Sequence, residues 1–168
     1  MALDVHVLPA DGVPSLAWRR DAETAILSGA FAVAESPAGY TGVVELHDED
    51  GALAVLDVHG GVLCGIDLVV WPEITVLPGL TAPVDARRAQ VMVPSRSVRR
   101  GAAAIEFDTT LSISADADAD AEVFHLRIGT RRPVEPLRIA DRMLVEIDAG
   151  QRLAGFWLEA VPPEPVGS

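Results

Sequence analysis

Apolar residues recur at every second position along much of this chain, and Pro or Gly interrupts them every few residues. Leu3, Val5 and Val7 show this alternation before Pro9. Because successive side chains of a β-strand point to opposite faces of a sheet, a period of two predicts strands. No stretch of the sequence keeps the i, i+3, i+4, i+7 spacing of an amphipathic helix for three turns without a breaker. The pattern therefore predicts a mainly β protein with little helix.

The predicted strands are spread over the whole chain. They lie near residues 3–9, 15–19, 24–27, 42–47, 52–59, 62–71, 103–107, 111–114, 122–128, 143–148 and 152–161. The Ala content of residues 21–33 also allows a helix, but Gly29 inside that segment favours the strand. Because prolines interrupt residues 73–97, we predict a connector there, with room for a short edge strand near 91–93 and a turn of helix at 84–90.

Two segments of the chain echo each other. Residues 55–68 read VLDVHGGVLCGIDL, and residues 144–158 read LVEIDAGQRLAGFWL. Each contains an apolar strand, a Gly-containing turn and a second strand with Leu-x-Gly near its start, as expected for a β-hairpin. The echo predicts two related antiparallel β-meander units. Their bounds are 1–72 for the first unit, 73–97 for the connector, 98–161 for the second unit and 162–168 for a flexible tail.

The length of 168 residues allows two ways of packing these units. They form either one sandwich or barrel-like domain or two small fused lobes, since a chain of this size can bury a sound core. In the first hairpin, a two-residue turn at Gly60–Gly61 would place Asp57 opposite Cys64 and Val55 opposite Ile66. Because both faces of these strands are largely apolar, we expect them to be central and covered on both sides.

The charge of the chain argues against nucleic acid as a partner. The formal net charge is −12, and all 13 basic residues are arginine. An acidic surface repels the phosphate backbone, whereas a nucleic-acid binder needs a concentrated basic face. The arginines at 87–88, 96–100 and 131–132 either form one local positive patch or pair with the plentiful carboxylates.

The sequence also bears on location and redox chemistry. Charges interrupt every apolar stretch before the roughly 20 residues that a membrane helix needs, and the N-terminus has no signal-peptide pattern. We therefore expect a soluble, cytoplasmic protein without a membrane partner. Cys64 is the single cysteine, so no disulfide can form within the chain, and its apolar strand is typical of a buried, inert thiol.

A run of acidic residues is the candidate metal site of the sequence. The run consists of Asp116, Asp118, Asp120 and Glu122. Calcium loops begin with Asp-x-Asp-x-Asp, because hard cations prefer clustered carboxylate oxygens. An EF-hand is excluded, since Ala121 stands where a sharp turn needs Gly and Arg127 stands where a bidentate Glu is needed. Two interpretations stay open: a divalent-cation site and a solvated acidic strand edge.

Other chemistry is less well supported. His47 and His59 lie too far apart along the predicted strands to share a metal, and we expect ordinary half-exposed histidines. Asp57 and Asp67 lie within apolar strands, where a buried carboxylate is costly unless it has a partner. They therefore indicate either an arginine partner or an acid–base site. The sequence contains no Gly-x-Ser-x-Gly elbow and no phosphate-binding loop, and we expect no cofactor.

The segments ISADADADAEVFHLRIG, at 113–129, and DRMLVEIDAGQRLAGFWLEA, at 141–160, carry a family resemblance. They resemble the small bacterial family catalogued as domain of unknown function 2283. Its members have Asp-x-x-x-Asp before a strand and an Asp-x-x-Gly-type turn before a strand that begins Leu/Val-x-Gly. The matching positions are Asp116 to Asp120, Glu122 to Ile128, Asp148, Gly150, Leu153, Gly155 and Phe156.

The first half resembles a more diverged copy of the same family. Its matching segments are RRDAETAILSG, at 19–29, and the strand that contains Gly65, Ile66 and Asp67. This copy lacks the aspartate run, and its turn is shorter by about one residue. The resemblance implies a duplicated β fold in a bacterial protein. It implies no catalytic residue, since the family has no established activity.

These observations lead to one preferred function and two alternatives. We expect a non-enzymatic interaction or assembly module that binds a protein partner or a second copy of itself as a homodimer, because strand-rich chains with few polar edges tend to associate. The first alternative is a small-molecule or divalent-cation binding domain that uses the acidic run. The second is a hydrolase that relies on Asp57 or Asp67.

Overall fold

The protein is all-β. A computed structural model describes residues 3–33, 39–94, 104–116 and 122–163. These residues contain 14 strands and no helix, which confirms the mainly β prediction. No helix of the described residues is long and apolar enough to cross a membrane.

The strands fall into two series along the chain. The first series is β1 (His6–Pro9), β2 (Ala17–Arg20), β3 (Leu27–Ala30), β4 (Gly42–His47), β5 (Leu53–His59), β6 (Val62–Val70) and β7 (Ile74–Val76). The second series is β8 (Arg87–Met92), β9 (Ala104–Asp108), β10 (Leu111–Ala115), β11 (Phe124–Ile128), β12 (Val134–Ala140), β13 (Met143–Asp148) and β14 (Leu153–Leu158). The predicted connector thus contains two strands, β7 and β8.

All the strands belong to one mixed sheet that curls into a half-barrel. The path through the sheet is β7-β10-β11-β14-β13-β12-β8-β6-β5-β4-β9. Off this path, β1 pairs with β8, β2 pairs with β3, and β3 pairs with β6. Among the described residues, β7 and β9 are therefore the two ends of the path.

Five strands of each half pair in the same order. In the first half the antiparallel order is β2-β3-β6-β5-β4. In the second half it is β10-β11-β14-β13-β12. Parallel pairs then connect distant parts of the chain: β9 lies beside β4, β8 beside β12, and β7 beside β10. The antiparallel pairs agree with the hairpin pattern, whereas nothing in the sequence indicated the parallel pairs.

The core is one cluster of apolar side chains from both halves. Leu56 and Ile66 of the first half belong to the same cluster as Val145 and Phe156 of the second half, and all four are at most 1% exposed. Alternation explains this burial, since every second side chain of a strand points to the concave face of the sheet. Both halves contribute to this one core, so the core does not separate the two predicted units. The division into units at 1–72 and 98–161 stays a prediction.

The register of the first hairpin differs from the prediction. A bulge between Asp57 and Val58 places Asp57 opposite Gly65 instead of Cys64, and Val55 opposite Asp67. The extra residue that a bulge inserts shifts every later pair by one position. Buried and half-buried residues alternate along β5, so the second face of this hairpin is only partly covered.

Candidate functional site

Exposed apolar side chains concentrate in one segment of the described chain. Seven large apolar residues among those that the structure describes are exposed, and five of them lie between residues 70 and 84. Four of these five lie in strand β7 or close to it in the sequence. We call them the edge surface: Val70, Ile74, Val76 and Leu77. Val76 is the most exposed of the four, at 53%. Exposed apolar side chains are normally scattered singly over a protein surface. A concentration of this kind is therefore typical of an interaction site.

The position of β7 in the sheet explains this exposure. Ile74 pairs with Ile113 and Val76 pairs with Ala115, so the two side chains share a face with residues of the core. Because β7 ends the path of the sheet, no further strand of the described residues covers its other side. An edge strand also presents unpaired backbone groups, which makes it a template for another strand.

The segment that contains the edge surface has few charges of its own. Glu73 is the only charged residue between Leu68 and Val84 in a chain whose net charge is −12. Two copies of an acidic protein repel each other unless the contact lies where charge is scarce. The segment itself therefore adds little repulsion between two copies, although Asp116 lies beside it.

The structure places part of the predicted acid run beside the edge surface. Asp116 follows β10, and its Oδ1 accepts a hydrogen bond of 3.0 Å from the backbone N–H of Gly79. Glu122 is exposed, and its backbone oxygen accepts a hydrogen bond from Val161. Asp118 and Asp120 lie outside the described residues. A cation site at this run stays a prediction.

Asp57 and Asp67 lie on the outer face of the first hairpin. Burial raises the pKa of the Asp57 carboxyl, and the neighbouring charge of Asp67 raises it further. None of the ion pairs that the described residues form includes either aspartate. The expected arginine partner is therefore not found there. An acid–base role for the two carboxylates stays a prediction.

The second hairpin buries an acidic side chain instead. Glu146 is 7% exposed, and its Oε1 lies 2.6 Å from Nε2 of His125 in a hydrogen bond. The indole N–H of Trp157 donates a hydrogen bond of 3.3 Å to Oε2 of the same carboxylate. The rings of His125 and Trp157 stack with centroids 4.1 Å apart. Both carboxylate oxygens thus have donors, as a buried charge requires. A cavity of about 160 Å³ lies beside His125 and Glu146, and Arg127 and Arg131 also line it.

A third cluster combines two carboxylates with an imidazole. Glu45 and His47 lie two residues apart on β4, so they share its outer face. The parallel strand β9 places Glu106 opposite Glu45. One ligand atom from each of the three side chains lies within 4.8 Å of the others. His47 is half-exposed, as expected, and two carboxylates lie beside it.

Sequence reasoning missed this cluster because its members come from distant parts of the chain. Glu45-x-His47 is a visible signal, since it places two ligating side chains on one face of a predicted strand. Glu106 joins them only through the parallel pairing of β4 and β9. Nothing in a local pattern indicates a parallel pair, because its strands are joined by a long crossover.

No protein-family model matches this sequence, and neither does any curated protein. The resemblance to the family of domain of unknown function 2283 therefore stays a prediction.

Proposed function

We propose that this protein is a non-enzymatic assembly module that forms a homodimer through the edge surface. The observation that carries the proposal is the concentration, between residues 70 and 84, of five of the seven large apolar side chains that are exposed in the described part of the chain. Burial of such side chains stabilises a contact by about 25 cal/mol per Å² of apolar area removed from water. An interface that contains Ile74 and Val76 would remove this area from water.

Pairing of β7 with β7 of a second copy fits this surface. A two-fold axis brings identical patches together, and two antiparallel edge strands then continue one sheet into the next. Pro72 and Pro78 flank β7 and would limit the pairing to a few residues, because proline has no N–H to donate. This limit favours a closed dimer over an extended fibre.

Substitution of Val76 by Asp tests the proposal. The aspartate would place a charge in the centre of the apolar contact, so we expect the wild-type chain to sediment as a dimer and V76D as a monomer. Analytical ultracentrifugation over a range of concentrations measures both. Leu8→Asp is the matched control, since Leu8 is 45% exposed on β1, outside the edge surface.

Two results would overturn the proposal. The first is a wild-type protein that stays monomeric at every concentration. The second is a dimer that L8D disrupts as strongly as V76D does. Circular dichroism of both variants tests whether each keeps its β fold, so that a loss of association can be told apart from a loss of folding.

We also propose that the two halves arose by duplication. The identical pairing order of β2–β6 and β10–β14 supports this, as does the echo between residues 55–68 and 144–158. A duplicated unit that once formed a dimer of shorter chains would leave such paired halves around one core.

A further inference from the structure

We infer that Glu45, His47 and Glu106 form a binding site for a divalent transition-metal ion, with zinc as the best fit. The site lies at β9, whereas the edge surface lies at β7, the opposite end of the path through the sheet. The inference is therefore independent of the proposed dimer.

The spacing of the side chains suits a metal. Nε2 of His47 lies 3.5 Å from Oε1 of Glu45, and all three ligand atoms lie within 4.8 Å of one another. Zinc binds imidazole and carboxylate at about 2.0–2.2 Å, so tetrahedral ligands stand roughly 3.4 Å apart. The Glu45–His47 separation already matches this value, and Glu106 needs only a rotation of an exposed side chain to approach it.

The imidazole of His47 supplies an observation that is independent of the carboxylates. Its Nε2 atom is enclosed and has no hydrogen-bond partner among the described residues, although 40% of the side chain is exposed. The contact of 3.5 Å with Glu45 does not have hydrogen-bond geometry. An enclosed polar atom without a partner is rare in folded proteins and calls for an explanation such as a bound ion. A metal would provide that partner, because neutral imidazole is the most common metal ligand in proteins.

The backbone holds the three ligands in place. Glu45 and Glu106 are direct neighbours across a parallel pair. The N–H of Thr109 donates a hydrogen bond of 2.9 Å to the backbone oxygen of His47, which fixes the end of β4. Two glutamates on adjacent strands repel each other, and a cation between them would remove this repulsion. Sites on regular strands are also better ordered than sites on loops.

The ligand set favours zinc over calcium or magnesium. Calcium needs six to eight oxygen ligands, and magnesium needs octahedral oxygen coordination, so a set with one nitrogen and two carboxylates suits neither ion. Zinc accepts histidine and glutamate together. Three protein ligands would leave a fourth position for water or for an added donor, which is the arrangement of an accessible zinc site and not of a closed structural one.

Isothermal titration calorimetry of the full chain, after treatment with a chelator, tests the inference. We expect one Zn²⁺ per chain, with Ca²⁺ and Mg²⁺ binding at least tenfold more weakly. His47→Gln and Glu106→Gln should each weaken zinc binding by at least tenfold, because each removes one of three ligands. The matched controls are His6→Gln and Glu23→Gln, which change an exposed histidine on β1 and an exposed glutamate between β2 and β3 and should bind zinc as the wild type does.

A second readout reports the coordination itself. Co²⁺ in place of zinc has visible absorption bands that depend on its ligands, so H47Q should change this spectrum and H6Q should not. Glu106 is exposed, so E106Q keeps the test valid even if H47Q fails to fold. The inference is wrong if the wild type binds no zinc. It is also wrong if H47Q and E106Q retain full affinity, which would place the ion elsewhere, with the acid run at Asp116 as the first alternative.

Discussion

The two similar hairpins each place a carboxylate opposite a glycine, but the surroundings of the two carboxylates differ. In β5–β6, Asp57 lies opposite Gly65, and in β13–β14, Glu146 lies opposite Gly155. A Cβ on either glycine would lie 2.6 Å from a backbone oxygen of the adjoining strand, which is Gly29 in one case and Leu126 in the other. In both hairpins, therefore, glycine allows a third strand and a carboxylate to approach closely.

The carboxylates themselves differ. His125 and Trp157 hold both oxygens of Glu146 in a buried site. Asp57 instead is half-buried next to another carboxylate, and the pKa of Asp57 is raised by burial and by Asp67. A repeated backbone arrangement thus does not determine whether its charge is stabilised, because the charge depends on the side chains that surround it.

The first prediction tests the stabilised hairpin and has the largest effect. His125→Ala removes the closest donor to the buried carboxylate of Glu146, so we expect a loss of about 3 kcal/mol in the free energy of unfolding. Urea denaturation measures this loss. His6→Ala, on an exposed position of β1, is the matched control and should change stability little. Equal losses for the two variants would show that Glu146 does not depend on His125.

The second prediction compares the two glycines directly. Gly155→Ala and Gly65→Ala should each cost about 1–3 kcal/mol, because the new methyl group overlaps a backbone oxygen. We expect the larger loss for Gly155→Ala, since Glu146 is held by two donors and cannot move away, whereas the half-buried Asp57 can. Gly12→Ala is the control, because no atom of the described residues lies within 4 Å of its Cβ position. Thermal unfolding of the three variants gives the order, and a larger loss at Gly65 would contradict the comparison.

The third prediction has the smallest effect, and here the substitution is expected to increase the free energy of unfolding instead of reducing it. Because the folded-state pKa of Asp57 is raised, its ionisation costs stability as the pH rises through that pKa. Asp57→Asn should therefore unfold at higher urea concentration than the wild type at pH 7. The difference should vanish below about pH 3.9, the usual pKa of aspartate, where both states of the wild type are protonated.

Asp148 provides the opposite control for this pH dependence. Burial raises the pKa of Asp148, but hydrogen bonds from Arg132 and from the N–H groups of Arg152 and Gly150 lower it below its ordinary value overall. Asp148→Asn should therefore reduce stability at pH 7, and this reduction should fade as the pH decreases through the folded-state pKa. If both asparagine variants shifted stability in the same direction at pH 7, the electrostatic contrast would be wrong.

Strands with strong alternation were predictable, and strands with interrupted patterns were not. β4 occupies Gly42–His47, the predicted range, because its side chains alternate between core and surface. β12 has no predicted counterpart, since Pro136 and Arg138 interrupt its apolar pattern. β3 begins at Leu27 instead of residue 24, because the side chain of Asp21 accepts hydrogen bonds from Glu23 and Thr24 in a turn that occupies the predicted start.

The sequence by itself determined the all-β class, the two hairpins and the acidic character of the surface, because these depend on local alternation, turn residues and composition. Tertiary structure decided the rest. It exposed Val76 by placing β7 at the end of the path, and it joined Glu106 to Glu45 and His47 through a parallel pair. Parallel pairing and edge position depend on contacts between residues far apart in the chain, and no local pattern records them.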